Sequence, residues 1–347
     1  MSTSQYFKYA SCPRCGSSSL ASLGSSPNYL NIPLKDAYTV SRSKCLRCHF
    51  IFLNPRPNSL YLASLYEKWH STYASDTDHL PEHLRDRHLE FRDKHLAIIS
   101  KYAPTSSSLL DIGCGNGSFL QVAGAETTMS LTGIDVSHFA INSARQRVPN
   151  ATLYTGTLLD VSQKLSMYDV ISMNDYLEHS SSPFHDLDLV CSTLLAQGGI
   201  LFIRVPNQGG LLARLMRNTW YAIIPFHLWY FTAPILRQEL QLRGMEILYC
   251  SAPAFIDYRM YLVGMTQFII ARVKATLFCR LRQATDMSSS RKERSSTEPD
   301  HSLTQYRRSL SVFAFILGVI ATHIDFLAAF FGSGNDLTVV ARKSSPL

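Results

Sequence analysis

This chain of 347 residues contains little charge and few cysteines. Charged residues form 17% of it and hydrophobic residues 46%, a balance that excludes a wholly disordered protein. Eight cysteines are few for a disulfide scaffold of this size. The opening MSTSQYFKYASCPRC lacks the apolar stretch of a secretory signal, so we expect a cytoplasmic protein in a reducing compartment.

The positive charge of the chain is modest and unevenly placed. The net charge is +7, and a basic excess of this size is weak support for nucleic-acid binding. The sequence contains no RNA-reading motif. Its excess charge gathers late in the chain, at Arg272, Lys274, Arg280, Arg282, Arg307 and Arg308. Nucleic acid is therefore not the partner that the sequence predicts.

Two CxxC pairs stand near the start of the chain, Cys12 with Cys15 and Cys45 with Cys48. In a reducing compartment such pairs predict a metal site before a disulfide. Two tight turns that face each other place four thiolates at the corners of a tetrahedron, which suits Zn²⁺. Because cysteine fills all four positions, none stays open for a catalytic water, and the predicted zinc is structural. Unpaired cysteines or redox pairs are the alternative.

Short apolar segments separated by helix-length stretches run from residue 108 to about residue 250. The segments are LLDIG, LTGIDV, YDVISMN, GGILFIRVPN and MEILYCS, and NDLTVVARK follows near the end of the chain. This alternation is typical of βαβ units. It predicts an α/β fold with a doubly wound, Rossmann-like sheet of parallel strands.

A glycine-rich turn follows the first predicted strand. In LLDIGCGNGSFL, Gly113, Gly115 and Gly117 are spaced as GxGxG between a strand and a helix. Glycines at such a turn let the backbone adopt positive φ and approach a ligand closely. Asp111 suits an amine-bearing ligand better than a pyrophosphate, and Asp135, after the next strand, is placed to bind ribose hydroxyls. A different nucleotide-binding fold is the alternative.

These segments resemble a known family. DIGCGNGSFL followed by GIDVS is similar to the first two motifs of the class I S-adenosylmethionine-dependent methyltransferases. YDVISMNDYLEHSSSP and GGILFIRVPN resemble the strand-four and strand-five segments of that superfamily, and RGMEILYCS and NDLTVVARK its last two strands. The CxxC pairs, FLNPRP, LEH and FHLWYFT resemble its zinc-ribbon-bearing branch, which is associated with sugar and surface-polysaccharide biosynthesis.

The resemblance implies S-adenosyl-L-methionine as the cofactor and assigns roles to residues around it. The three glycines would cradle the cofactor, Asp111 would lie near its amino-acid end, and Asp135 would bind the ribose hydroxyls. Two residues after the third strand would lie near the adenine, and one at the end of strand four would border the methionine portion. The implied cofactor-binding residues are Asp111, Gly113, Gly115, Gly117, Asp135, Thr157, Leu158 and Asn174.

The segment after strand four is the predicted catalytic one. Ligands of open α/β sheets bind at the carboxyl ends of the strands, where Tyr176, Glu178 and His179 fall. A histidine titrates near neutrality, so His179 would take a proton from the acceptor, while Tyr176 and Glu178 would orient the substrate or tune the histidine. Some sugar C-methyltransferases that resemble this branch use the same Tyr-x-Glu-His arrangement. The alternative is that Glu178 and His179 only cap or pack the following turn.

A second candidate segment, PFHLWYFT, lies between strands five and six. Related enzymes often bind the acceptor there, so we predict that His227 and Tyr230 bind it. The alternative is that the aromatic side chains pack the sheet. Tyr66 and Tyr73 stand in the helical segment before the sheet and are weaker candidates for a lid.

The resemblance divides the chain into four parts. The predicted parts are a zinc-ribbon module (1–58), a helical lead-in or lid (59–104), an S-adenosylmethionine-binding methyltransferase domain (105–252 with 335–343) and a helical insertion (253–334) with a flexible loop (284–301).

The predicted insertion contains two apolar runs, 260–271 and 310–331. His323 and Asp325 interrupt the second run, and a single crossing of a bilayer would keep the last strand from returning to the sheet. The basic residues beside the runs suit an anionic lipid surface, so peripheral membrane contact through 260–331 is one interpretation. An ordinary helical subdomain or an oligomer interface is the other.

The sequence therefore predicts an S-adenosylmethionine-dependent methyltransferase with a small-molecule acceptor. The acceptor predicted first is a sugar nucleotide or glycan precursor, methylated by SN2 transfer. One alternative is an O-methyltransferase of a lipophilic acceptor, such as a quinone or polyketide. Another is a non-catalytic scaffold that retains the fold. The sequence indicates no oligomeric state.

Overall fold

The computed structural model describes residues 7–26, 40–72, 82–254 and 323–344. Tyr73, the predicted flexible loop and most of the predicted insertion lie outside these residues. The strands are β1 (Phe7–Lys8), β2 (Leu20–Ser26), β3 (Val40–Cys45), β4 (Ile51–Leu53), β5 (Arg56–Pro57), β6 (Ser108–Ile112), β7 (Ser130–Asp135), β8 (Thr152–Thr155), β9 (Tyr168–Asn174), β10 (Leu195–Pro206), β11 (Trp229–Tyr230), β12 (Met245–Ser251) and β13 (Asp336–Lys343). The helices are α1 (Ser59–Thr72), α2 (Glu82–Tyr102), α3 (Ser118–Glu126), α4 (His138–Arg147), α5 (Leu158–Val161), α6 (Pro183–Leu189), α7 (Leu211–Met216) and α8 (Ala233–Leu242), and residues 323–330 form α9.

Seven strands form the central sheet, in the order β12-β13-β10-β9-β6-β7-β8. The five strands from β10 to β8 are parallel to their neighbours, and β13 runs antiparallel to β10 and β12. Each predicted apolar segment is a strand of this sheet, so the doubly wound α/β fold is confirmed. The sheet is mixed rather than wholly parallel because its last strand enters from the opposite end.

The strand order reverses at β6. The chain first builds β7 and β8 on one side of β6 and then places β9 and β10 on the other side. The loops that leave β6 and β9 therefore diverge, and a crevice opens at the carboxyl ends of these two strands. Leu109, Leu110 and Ile112 of β6 are all buried, as expected of a parallel strand covered on both faces.

A second, four-stranded sheet follows the order β11-β4-β3-β2, and β1 pairs with β5. Its strand β11 comes from the segment predicted to bind the acceptor, with Trp229 opposite Phe52 and Tyr230 opposite Ile51. The ring of Trp229 stacks on Phe50 at a centroid distance of 6.2 Å. The N-terminal module therefore shares both a sheet and an aromatic core with the methyltransferase-like part of the chain.

Polar contacts reinforce this junction. Arg14 Nε donates to Glu239 Oε1 of α8 at 2.7 Å. Arg42, which is buried, donates to Gln208 Oε1 at 2.6 Å and to Asn218 Oδ1 at 3.1 Å. Buried guanidinium groups require such partners, so the two parts of the chain hold each other in one orientation.

Helix α2 covers one face of the central sheet. His95 is buried with its ring centroid 5.2 Å from that of Phe202 in β10. Leu96 and Ile99 join the same buried cluster as Leu109 of β6. His95, Leu96 and Ile99, which recur within one helical turn, thus form the part of the helix that packs on the sheet.

Helix α9 returns the chain to the sheet. Asp325, which interrupts the predicted apolar run, is fully buried and accepts a hydrogen bond from the Asn335 N–H at 2.9 Å. This bond attaches the helix to the start of β13. Large apolar side chains on α9 and after it are exposed, namely Phe326, Leu327, Phe330 and Phe331. Within the described ranges, no helix combines the length and apolarity that crossing a bilayer requires. Peripheral membrane contact stays a prediction.

Candidate active site

The two CxxC pairs lie on turns of the same shape. The carbonyl of Cys12 accepts from the Gly16 N–H at 2.8 Å, and that of Cys45 accepts from the His49 N–H at 2.9 Å. Gly16 and His49 both have left-handed backbone, with φ of 72° and 61°. The Cys48 N–H lies 3.5 Å from Cys45 Sγ. Equivalent backbone hydrogen bonds therefore give the two turns the same shape.

The sulfur atoms of Cys12, Cys15, Cys45 and Cys48 lie within 4.8 Å of one another. Cys12 Sγ is 3.4 Å from Cys48 Sγ, and Cys15 Sγ is 3.6 Å from Cys45 Sγ. A tetrahedral ion with bonds of about 2.3 Å to sulfur separates its ligands by about 3.8 Å, so the cluster has the right size. Burial works against the Cys45 thiolate, but backbone N–H groups of Cys48 and Arg47 lower its pKa to about 6. The four predicted ligands are brought together and could hold a metal ion.

The glycine-rich turn has the backbone that the sequence predicts. Gly113, Gly115 and Gly117 have φ of 78°, 53° and 77°. A Cβ at Gly113 would lie 3.0 Å from Tyr176 Cδ2, and one at Gly117 would lie 3.1 Å from Ala144 Cβ. At Gly115, in contrast, a Cβ would meet nothing within 4 Å. Two of the glycines are therefore needed for packing, and the middle one faces open space.

Asp135 supports this turn from the end of β7. Its Oδ2 accepts from the Gly115 N–H at 3.0 Å and its Oδ1 from the Ser137 N–H at 2.8 Å. Each carboxylate oxygen can accept more than one hydrogen bond. The predicted role toward ribose hydroxyls is therefore compatible with the geometry and stays a prediction.

Asp111 lies beneath the turn, and its side chain is almost completely buried. Its Oδ1 accepts from the Ser172 hydroxyl at 2.5 Å. Burial raises the pKa of Asp111 to about 6, although Ser172 and Arg92 oppose the shift. Asn174, which ends β9, is also buried. These two predicted cofactor residues border the crevice from below, and their roles stay predictions.

Thr157 and Leu158 begin α5 on the far side of Asp135. Thr157 Oγ1 accepts from the Asp160 N–H at 3.2 Å, and the Thr157 N–H donates to Asp160 Oδ2 at 2.9 Å. This reciprocal pair caps the helix. The Gly156 N–H donates to the carbonyl of Asp135 at 2.9 Å, which holds the cap beside the predicted ribose site. The residues predicted to lie near the adenine are thus adjacent to the residue predicted to bind the ribose hydroxyls.

An ion bridge around the buried guanidinium of Arg204 fixes the segment after β9. Asp175 has a φ of 52°, its N–H donates to the carbonyl of Arg204 at 2.9 Å, and its carboxylate pairs with the guanidinium of Arg204. The same guanidinium donates to Asp336 Oδ2 from Nε at 3.1 Å and from Nη2 at 2.7 Å. The bridge joins β9, β10 and β13 directly below the predicted catalytic residues.

Sequence reasoning missed Arg204 and Asp336. A signal was present, because Arg204 interrupts the apolar strand ILFIRVP and Asp336 opens the last strand. Charges in such positions need a partner. The pairing itself spans 132 residues of chain, so the sequence did not indicate which partner.

Glu178 is the most unusual side chain of the site. It is 1% exposed, and neither of its carboxylate oxygens has a hydrogen-bond partner among the described residues. Burial raises the pKa of Glu178 well above its ordinary value, and Asp175 adds to this while Arg204 opposes it. Burial therefore favours the protonated form of this carboxyl, and a positive charge brought beside it would favour the ionised form.

Two histidines lie beside this carboxyl. His179 Nδ1 is 3.0 Å from the carbonyl of Phe226, and His227 Nδ1 is 2.7 Å from the carbonyl of Ala222. A carbonyl oxygen only accepts, so both neutral rings carry their proton on Nδ1 and a lone pair on Nε2. The ring centroids are 4.6 Å apart, and His179 Nε2 is 3.9 Å from Glu178 Oε1.

Tyr176 connects the glycine turn to α6. Its hydroxyl donates to Asp186 Oδ2 at 2.8 Å. Its ring lies so close to Gly113 that a side chain at that position would collide with it. Tyr66 reaches the site from α1, with its hydroxyl donating to the carbonyl of His179 at 3.2 Å. Both tyrosines thus lie in the walls of the site; the orienting role of Tyr176 and the lid role of Tyr66 stay predictions.

The two residues predicted to bind the acceptor have different surroundings. His227 lies in the cluster with Glu178 and His179. Tyr230 lies on β11 in the N-terminal sheet, is 2% exposed, and has the Arg42 guanidinium 5.0 Å from its ring centroid. The structure therefore brings His227 to the predicted catalytic residues and places Tyr230 in the junction with the N-terminal module.

Residues 79–249 match the family model described as a methyltransferase domain. This range contains the glycine turn, the reversal of strand order and the segment with Glu178 and His179. Over this range the chain is similar to a methyltransferase domain, and its sheet has the doubly wound strand order that the sequence resemblance implies.

Two curated proteins are similar over short stretches. A dTDP-3-amino-3,6-dideoxy-alpha-D-glucopyranose N,N-dimethyltransferase of Streptomyces fradiae is 33% identical over 78 residues, which cover 22% of this chain and 30% of that protein. A dTDP-3-amino-3,4,6-trideoxy-alpha-D-glucopyranose N,N-dimethyltransferase of Streptomyces venezuelae is 33% identical over 76 residues, covering 22% and 32%. The matches thus span less than a third of each relative.

Solved structures are similar at lower identity. A SAM dependent methyltransferase from Archaeoglobus fulgidus has a TM-score of 0.45 and 15% identity, with 74% of this chain and 94% of that chain covered.

Proposed function

We propose that this protein transfers a methyl group from S-adenosylmethionine to a small acceptor. The observation that carries the proposal is the contact between the glycine turn and the segment after β9, made by the ring of Tyr176 against Gly113. Through this contact, the turn that contains Gly115 and the segment that contains Glu178 and His179 are neighbours at the carboxyl ends of β6 and β9, where open α/β sheets bind their ligands.

The space and the hydrogen-bonding groups of the crevice suit the cofactor. Gly115 leaves room for a ligand at the turn, and the Asp135 carboxylate has accepting capacity for ribose hydroxyls. The residues that would hold the cofactor are Asp111, Gly113, Gly115, Gly117, Asp135, Thr157, Leu158 and Asn174. When bound, S-adenosylmethionine supplies a methyl carbon on a positively charged sulfur, and its transfer to the acceptor leaves the carbon–sulfur electron pair on that sulfur.

The chain itself must align the acceptor, exclude water and receive the acceptor's proton. His179 is the predicted base, and its Nε2 carries the lone pair because Nδ1 donates to Phe226. The Phe226 and Tyr66 rings lie 5.6 Å and 5.9 Å from the His179 ring and shield it from one side. The acceptor's proton passes to His179 Nε2 in this scheme.

For the acceptor we favour a sugar nucleotide or a glycan precursor. The support is the resemblance in the N-terminal module and the short similarity to enzymes named for dTDP-amino sugars. The alternative, a lipophilic acceptor, is supported by the aromatic segment PFHLWYFT. However, Trp229 and Tyr230 of that segment pair with β4 in the N-terminal sheet. We also propose that the four cysteines hold a structural Zn²⁺, since their number and spacing suit a closed tetrahedral site.

The proposal is tested by incubating the full chain with methyl-labelled S-adenosylmethionine and a panel of dTDP-sugars, dTDP-amino sugars and reduced quinones. We expect label in the sugar nucleotides and a loss of at least 100-fold in kcat for His179→Ala, on the order of a lost general base. His185→Ala is the matched control and should leave kcat unchanged, because His185 is an exposed histidine outside the cluster. Label in the quinones alone would overturn the acceptor class, and no transfer to any acceptor would contradict the proposal as tested.

A further inference from the structure

A second group of potential metal ligands, separate from the four cysteines, consists of Glu178, His179 and His227. Each offers one ligand atom, and the three atoms lie within 4.8 Å of one another. We propose that these three side chains bind a divalent cation of the Zn²⁺, Fe²⁺, Mn²⁺ or Co²⁺ class. Two imidazoles and one carboxylate are a donor set that suits these ions.

The orientation of both histidines supports this site. A histidine that binds a metal ion through one ring nitrogen donates its other ring N–H to a carbonyl or carboxylate, which fixes the ring. His179 and His227 both donate from Nδ1 to backbone carbonyls, those of Phe226 and Ala222, at 3.0 Å and 2.7 Å. These two hydrogen bonds fix the ring orientations, and therefore the directions of the Nε2 lone pairs, without a bound ligand.

Glu178 supplies the second, independent observation. A carboxyl group that is almost fully buried and lacks a hydrogen-bond partner among the described residues is costly. A cation bound between it and the two imidazoles removes that cost by supplying the missing positive charge. The charges around Glu178 are of both signs: the carboxylates of Asp175 and Asp336 pair with the guanidinium of Arg204, and the guanidinium of Arg92 also interacts with Asp175.

The backbone holds the two ligand-bearing segments together. The Leu228 N–H donates to the carbonyl of Glu178 at 2.7 Å, and Trp229 Nε1 donates to the carbonyl of Ser180 at 2.6 Å. His227 therefore cannot move away from Glu178 and His179 without breaking two buried hydrogen bonds. The cluster is a built site rather than a chance approach of surface groups.

Three protein ligands leave coordination positions open, unlike the four cysteines of the N-terminal module. The His179 side chain is 22% exposed, which gives an acceptor access to this side of the cluster. A cation there would bind an oxygen of the acceptor and lower the pKa of its hydroxyl. This consequence rests on the proposed methyl transfer, and in this state His179 acts as a ligand while solvent receives the proton. The binding site itself does not depend on the proposed function.

The test counts metal ions on the full chain after equilibrium dialysis against Co²⁺ alone, with zinc already in the cysteine site. We expect one zinc and one cobalt per chain, with a cobalt spectrum that lacks sulfur-to-metal charge transfer. Glu178→Gln and His227→Asn should each weaken cobalt binding at least 10-fold, whereas His185→Asn, an exposed histidine outside the cluster, should leave it unchanged. The wild-type spectrum needs no variant, so it stays informative if a substitution prevents folding.

Absence of the second metal ion, or equal cobalt binding by all four proteins, overturns the cation site. Methyl transfer that survives without the second ion, with no cobalt bound, overturns the site and leaves the proposed function standing. Cobalt binding without any methyl transfer supports the site and contradicts the proposed function.

Discussion

The two clusters of potential ligands in this chain are built on opposite plans. The N-terminal cluster consists of four thiols on two turns of the same shape, so its ligand set is closed and alike on all sides. The cluster after β9 combines one buried carboxyl with two imidazoles and opens toward solvent at His179. The first arrangement suits a structural ion, whereas the second would leave coordination positions and solvent access for chemistry. The following substitutions test that contrast, from the largest expected effect to the smallest.

Cys45→Ser should unfold the N-terminal sheet. Zinc binding contributes about 10–16 kcal/mol to small zinc-dependent folds near neutral pH, so the loss of one of the four proposed ligands should remove much of the module's stability. Limited proteolysis should then cut between residues 7 and 58, and the melting temperature should fall. Cys250→Ser is the control, because Cys250 is partly buried but lies outside the cluster. Equal protease resistance of the two variants would show that the four cysteines do not stabilise the module.

Arg204→Met should destabilise the catalytic side without touching a proposed ligand. It leaves Asp336 buried without its guanidinium, a loss of about 3–5 kcal/mol for a broken buried pair. Adding Asp336→Asn to Arg204→Met should recover a large part of it, because the unpaired charge is gone. Urea unfolding measures both. A double variant no more stable than the single one would show that charge pairing is not the reason for the bridge.

Glu178→Gln should change how stability depends on pH. The pKa of Glu178 in the folded chain lies well above its value of 4.5 in the unfolded chain. Above pH 4.5 only the unfolded chain releases this proton, so wild-type stability is lost as pH rises toward the folded pKa. Glutamine cannot ionise, so the stability of the variant relative to wild type should rise as pH increases above 4.5, until the folded pKa is reached. Melting curves without added divalent ions test this, and a difference that does not vary with pH would contradict it.

Arg14→Ala should have the smallest effect. Arg14 and Arg47 occupy the same position in CPRC and CLRC, but only Arg14 pairs with a largely buried partner, Glu239. We expect Arg14→Ala to cost about 1–2 kcal/mol in thermal unfolding, as for a hydrogen bond to a charged group. Arg47→Ala is the matched control and should cost almost nothing, since Arg47 is exposed. Similar costs for the two would mean that Arg14 does not hold the module against α8.

Local patterns in the sequence were enough to predict the central sheet and the cysteine cluster. Strands such as β6 and β10 are short, mainly apolar runs, and CxxC spacing places two sulfurs on one turn by itself. The same holds for the glycine turn, whose positive φ angles follow from its three glycines.

Features that depend on distant partners were not visible in the sequence. β11 has two residues and is a strand only because it pairs with β4, far earlier in the chain. The Arg204–Asp336 pair joins positions 132 residues apart. The approach of His227 to Glu178 depends on how the loop before β11 folds back. In each case the deciding contact is tertiary, and no local pattern encodes it.

Binding of S-adenosylmethionine to two glycine variants tests the central claim most directly. Gly115 and Gly198 both have positive φ, 53° and 76°, and in both a Cβ would meet nothing within 4 Å. Only Gly115 faces the proposed cofactor crevice. Calorimetry should show binding to wild type and to Gly198→Arg, and at least 100-fold weaker binding to Gly115→Arg. Equal binding by both variants, or no binding to wild type, would contradict the assignment of this crevice to the cofactor.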